Sequence, residues 1–136
     1  VINVLLITHG EFGREMLKTA EGIVGKQEGV HVLGVTFRDS LSSMCDQTGA
    51  ILQRFADSDG VLILTDMLGG TPCNACLPFS RDCKVEIITG LNLYMLLAAF
   101  IGRSGMSLPE LAVKVMVDGQ RNISNAKEAF LKKLQQ

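Results

Sequence analysis

The chain has 136 residues, a net charge of -1 and no basic block, which suits a single domain and argues against nucleic acid as a main partner. Trp is absent and only one Tyr occurs, so the chain has no aromatic platform for stacking bases. The longest apolar runs fall far short of the roughly 20 residues a membrane span needs, no signal peptide is visible, and four cysteines without a secretory signal fit reduced thiols in a cytoplasm.

The predicted elements alternate. Residues 2–7 read as a strand, an apolar run that stops at Thr8-His9-Gly10. Residues 11–24 place Phe12, Met16, Leu17, Ala20, Ile23 and Val24 at a helical period. Gly25 and Gly29 mark a turn into a second strand over 30–37. A helix follows over 40–55, with Leu41, Met44, Thr48, Ile51, Leu52 and Phe55 on one face and Asp39 or Ser40 as N-cap. A third strand, 61–65, stops at Asp66-Met67-Leu68-Gly69-Gly70-Thr71-Pro72. Pro72 suits the first turn of a helix that runs to about residue 79. Residues 85–89 form a fourth strand, and Gly90 turns into an apolar helix over 93–101. Ser107-Leu108-Pro109-Glu110 reads as a helix start. Residues 113–117 suit strand or helix, Gly119 breaks the pattern, and 124–134 predicts a last helix.

Strands alternating with helices imply an α/β fold: a doubly wound, mostly parallel sheet with helices on both faces and right-handed crossovers. Ligands of such sheets sit beyond the strands' carboxyl ends, where strand order reverses. In the order 2-1-3-4 that crevice falls between strands one and three, the strands that end in His9 and Asp66.

Those two residues are the candidate catalytic pair. Asp66 would accept a hydrogen bond from one ring nitrogen of His9, fixing the tautomer and leaving the other nitrogen nucleophilic. Gly10 lets the backbone approach closely, and the helix after it offers free N–H groups to an anion. Gly69, Gly70 and Thr71 form a candidate nest of backbone donors with one hydroxyl. Asn74 and Asn92 are candidates for the pocket rim, although each also suits a bland role, Asn74 as first-turn filler and Asn92 as a helix cap. His31 reads as incidental. Cys73-Asn74-Ala75-Cys76 raises a thiol redox or metal module as a rival, with Cys45 and Cys83 as further ligands. The absence of a second close cysteine pair favours small buried residues instead. No metal and no cofactor is required, because no carboxylate cluster accompanies the histidine.

The Thr8-His9-Gly10 strand end, Leu17-Lys18-Thr19-Ala20-Glu21, the loop from Asp66 to Ala75 and Thr89-Gly90-Leu91-Asn92 together resemble the mannose-family enzyme IIA (EIIA) domain of the bacterial sugar phosphotransferase system. The resemblance covers roughly residues 2–120 and rests on the histidine-glycine strand end together with the Gly-Gly-Thr-Pro loop. It implies a single EIIA-type domain over 1–136 in which His9 takes a phosphoryl group from the histidine-containing phosphocarrier protein and passes it to an enzyme IIB component. It implies that Asp66 orients His9 and that Thr71 places a hydroxyl near the phosphate. It also implies a cytoplasmic homodimer, peripheral to a membrane permease at most, with an added antiparallel edge strand. No C-terminal strand is evident in this sequence. A stand-alone regulatory phospho-switch using the same histidine chemistry is the alternative.

Overall fold

Alternating runs of apolar residues at strand and helix period organise the chain, and a computed structural model describes residues 1–82 and 84–136 of it. The elements are β1 (Asn3–His9), α1 (Phe12–Val24), β2 (Val30–Val35), α2 (Leu41–Arg54), β3 (Val61–Thr65), α3 (Thr71–Cys76), a 3-10 turn (Leu77–Phe79), β4 (Val85–Ile88), α4 (Leu93–Gly102), α5 (Leu108–Arg121) and α6 (Ala126–Leu134). The strands pair in the order β2-β1-β3-β4 and every pairing is parallel. Ile7 lies opposite Thr65, and His9 opposite Val35. The expected order and fold class are therefore present. The added antiparallel strand is not found among the described residues.

β1 and β3 are the central strands, covered on both faces, which is why each reads as an unbroken apolar run rather than an alternation. Val4, Leu6, Leu62 and Leu64 face a core shared with α4 and α5. Leu5, Ile7 and Ile63 face the opposite layer, with Met44 and Ile51 of α2 and Ala75 and Cys76 of α3. Each such Leu or Ile contributes about 1.5–3 kcal/mol by leaving water, so the middle of the sheet is a rigid base for whatever its strand ends carry.

The helix ends follow local chemistry. Ser40 caps α2 by accepting from the Ser43 amide at 3.0 Å. Ser107 and Glu110 form a reciprocal capping box at the start of α5. Residues 113–117 are helical, because Leu111, Ala112 and Val115 are buried at helical spacing. Gly119 does not break α5 but lies within it. A Cβ there would sit 2.5 Å from Met95 Cγ, so this glycine lets α4 and α5 cross closely. The final helix forms as expected, yet none of its residues is buried. Among the described residues, no helix is long and apolar enough to cross a membrane.

Candidate functional site

Adjacent parallel strands end side by side, so β1 and β3 deliver His9 and Asp66 to one point. Asp66 Oδ2 accepts from the His9 backbone N–H at 2.8 Å and lies 2.8 Å from ring Nδ1. Asp66 Oδ1 accepts from the Met67 amide at 2.9 Å. Burial is the largest single influence on this carboxyl and would raise its pKa. The hydrogen bonds from the His9 backbone and ring and the charge of His9 outweigh it, and the net pKa lies below the ordinary carboxylate value. An ionised carboxylate can only accept. Nδ1 therefore carries the proton of the neutral ring, and in that form Nε2 keeps its lone pair. The His9 side chain is 51% exposed and that of Asp66 only 15%. The orienting group is thus sheltered while the ring it holds stays open to solvent.

The glycine loop lies against that ring. Gly69 has φ +86°, a conformation natural to glycine. A Cβ on Gly70 would stand 2.9 Å from His9 Cε1 and 3.4 Å from Nε2, so only a residue without a side chain lets the backbone come this close. Gly70 is also the N-cap of α3, with Pro72 in its first turn. The first amides of a helix have no acceptor within it, and those of α3 begin directly after Gly70, the residue that borders the imidazole. Asn74 braces the loop by donating from Nδ2 to the Gly69 carbonyl at 3.4 Å.

Two expected site residues are otherwise engaged. The Gly10 N–H donates to the Val35 carbonyl at 2.8 Å and is not available to a ligand. What Gly10 supplies is the turn itself, at φ +51°. Gly34 on β2 makes room for it, since a Cβ on Gly34 would collide with the Gly10 carbonyl oxygen. Asn92 caps α4 by accepting from the Met95 amide at 3.0 Å, and its Nδ2 donates to the Gly119 carbonyl at 3.3 Å. Both ends of that side chain are occupied within the α4–α5 layer.

Thr8 is a contributor that sequence reasoning missed. Its buried hydroxyl accepts from the Gly13 amide at 2.8 Å and caps α1, whose own N-cap Glu11 makes no side-chain bond to the helix's first amides. A Cβ on Gly13 would lie 2.9 Å from that oxygen. The available signal was a hydroxyl at the last core position of the strand, with a glycine five residues on.

Cys73 and Cys76 are buried residues of α3. Burial first, and then the neighbouring Cys73, push the Cys76 thiol up to about 12, the reverse of an activated thiolate. Cys45 is half-buried, and Cys83 lies outside the described residues. Among the described residues, no three His, Cys, Asp or Glu side chains are grouped to hold a metal. His31 sits near the start of β2 opposite Leu5, away from the strands' carboxyl ends. Its pKa is lowered by burial and then by the charges of Arg54 and Arg14.

A histidine oriented at the switch point of a parallel sheet and flanked by a glycine loop defines a class of site, and comparison with known proteins gives the family. A family model described as "PTS system fructose IIA component" matches residues 3–116. The chain belongs to this family, the mannose-type EIIA domains of the phosphotransferase system. It is 30% identical over 128 residues to the PTS system mannose-specific EIIAB component of Escherichia coli K12, a match covering 93% of this chain and 40% of that protein. The chain thus spans well under half the length of that relative. Its fold is similar to phosphotransferase system component EIIA from Streptococcus agalactiae, with TM-score 0.86, 29% identity, and coverage of 94% of this chain and 99% of that one. It is also similar to the mannose/sorbose specific IIA subunit from Enterococcus faecalis, with TM-score 0.82, 30% identity, and coverage of 90% and 92%.

Proposed function

We propose that the chain is a phosphohistidine carrier of sugar uptake, a single EIIA-type domain over residues 1–136 with His9 as the phosphoryl acceptor. One observation carries the reading: Asp66 holds Nδ1 at 2.8 Å, which leaves Nε2 as the nucleophile against the backbone of Gly70. In the forward step the Nε2 lone pair attacks phosphorus, a new N–P bond forms, and the N–P bond to the donor histidine breaks. The electron pair returns to the donor's nitrogen. Nδ1 keeps its proton throughout, and the ring becomes cationic opposite the Asp66 carboxylate. Both bonds are phosphoramidates, so little energy is lost and the work of the protein is alignment and charge stabilisation. The amides of Gly69, Gly70 and Thr71 and the Thr71 hydroxyl are the donors for the equatorial oxygens.

The donor in this reading is the histidine-containing phosphocarrier protein and the acceptor an enzyme IIB component, both met in the cytoplasm. The carrier acts as a homodimer. Support for assembly comes from β4, whose outer edge runs along a groove of about 460 Å³ lined by Leu68, Leu77, Ile87 and Met116, and from α6, whose Phe130 and Leu134 are exposed. Light scattering in solution measures this directly, and a mass of one chain at micromolar concentration would overturn it.

The test of the carrier reading is incubation with the phosphorylated donor, followed by intact-mass measurement at neutral or alkaline pH, which spares phosphohistidine. The parent chain gains one phosphoryl group and His9→Ala gains none. Equal labelling of the two would sink the assignment.

A further inference from the structure

Phe37 is the most exposed large apolar side chain among the described residues, at 96%. It is not on a loose loop. Asp39 Oδ2 accepts from the Thr36 amide at 2.8 Å and from the Thr36 hydroxyl at 3.1 Å. The Thr36 carbonyl accepts from the Asp39 amide at 3.1 Å, and Thr36 Oγ1 accepts from the Arg38 amide at 3.3 Å. Four hydrogen bonds thus close residues 36–39 into a turn with Phe37 at its tip. An aromatic held this way loses little freedom when a partner covers it.

The turn stands at the reactive end of the sheet. β2 ends at Val35, which is paired with His9 and accepts from Gly10. Phe37 is two residues further on. β1 and β2 are neighbours at a strand spacing of ~4.8 Å, so the turn sits one strand over from His9 at the same end of the sheet. On the other flank, after β3, Met67 and Leu68 are 54% and 74% exposed. Met67 reaches the same space beside Gly70 that the His9 ring borders. The half-exposed histidine therefore lies between two apolar lips. A single exposed apolar side chain needs no explanation, but a contiguous group does, and Phe, Met and Arg are the types enriched where proteins dock.

The charge on this rim selects the partner. The Arg38 guanidinium stands 5.9 Å from the centroid of the Phe37 ring, and Arg38 joins no ion pair among the described residues. A donor meets the empty histidine and brings the negative phosphoryl group with it, so a cation on the rim attracts it. An acceptor meets a histidine that is already loaded, whose own charge offsets that cation.

We propose that Phe37, with Arg38 over its ring, is the docking anchor that selects the phosphorylated donor protein, with Met67 and Leu68 as the opposing lip. This rests on His9 being the phosphoryl acceptor. Phe37 touches none of the reacting atoms and sets affinity, not chemistry.

The test compares two donors. One is the phosphorylated histidine-containing phosphocarrier protein. The other is phosphoramidate, a small donor with the same P–N bond and no surface to dock. For Phe37→Ala, KM for the protein donor rises by about 30-fold or more, the range of an interface hot spot, while kcat and the rate from phosphoramidate stay within about twofold of the parent. Phe37→Tyr keeps the parental KM. Arg38→Ala raises KM at low salt and flattens its salt dependence. An unchanged KM in Phe37→Ala overturns the anchor. So does an equal loss with phosphoramidate, because the effect is then structural. A rise in KM confined to transfer onto enzyme IIB overturns the choice of donor. If neither donor labels the parent, the carrier reading itself has failed, and that outcome is distinct from the others.

Discussion

Asp66→Asn removes a charge from the site while nearly preserving its shape. The carboxylate takes two hydrogen bonds from His9 at Oδ2 and one from Met67 at Oδ1. Asparagine has one acceptor oxygen, so one side of it must present an NH2 group to another donor. With the oxygen toward His9, the NH2 meets the Met67 amide, and the ring loses its negative neighbour just as it turns cationic. With the amide reversed, the NH2 opposes the His9 backbone N–H and donates to Nδ1, which forces the ring proton onto Nε2 and removes the nucleophile. A hydrogen bond to a charged group contributes about 1.5–3 kcal/mol. At ~1.36 kcal/mol per decade this predicts transfer slower by about 10- to 150-fold. Quenched-flow labelling from the phosphorylated donor, read by intact mass, measures it. Stability gives an independent check of the charge. The Asp66 carboxyl is held below the usual range, so its contribution to folding is complete above the unfolded value near ~3.9 and fades as pH falls through the lower folded value. The gap in unfolding midpoint between parent and variant is therefore present at roughly pH 5 and narrows below roughly pH 4. Transfer at the parental rate, or a gap unchanged at strongly acidic pH, refutes the reasoning.

Gly70→Ala places a methyl group 2.9 Å from His9 Cε1 and must push the ring or the loop aside. Transfer falls by up to about 100-fold, the cost of roughly 1 Å of misalignment, in a protein whose thermal midpoint barely moves. Thr8→Val keeps the volume and removes the acceptor for the Gly13 amide, so chemical denaturation shows a loss of about 1–2 kcal/mol. Cys76, with its thiol near 12, resists iodoacetamide in the native protein at neutral pH, and peptide mapping finds it alkylated only after denaturant is added.

The sheet and its reactive end were legible because they depend on periodicity and on two strand ends. The runs at 4–7 and 61–65 read as buried strands bounded by turn residues, and the strand order 2-1-3-4 then sets His9 beside Asp66. What stayed hidden were contacts made across elements. Gly119 looked like a break because glycine disfavours helices, but packing against Met95 overrides that propensity. The stretch 113–117 is rich in β-branched residues, and only its burial at helical spacing decides it. Nothing local in the sequence shows that the Gly10 amide is spent on Val35, that Asn92, the expected cap of α4, also reaches Gly119, or that Thr8 caps a helix from the end of a strand. Each of these needs two segments whose approach only the fold defines.

A single oxygen of Asp66 grips both the main chain and the ring of His9. The imidazole is therefore a fixed terminal and not a swinging arm: turning the ring to carry cargo elsewhere would break the bond that keeps its chemistry ready. In the proposed carrier, cargo then changes hands only when another protein comes to this spot, one visitor at a time. Traffic through the molecule is then set by how often visitors arrive and how soon each departs.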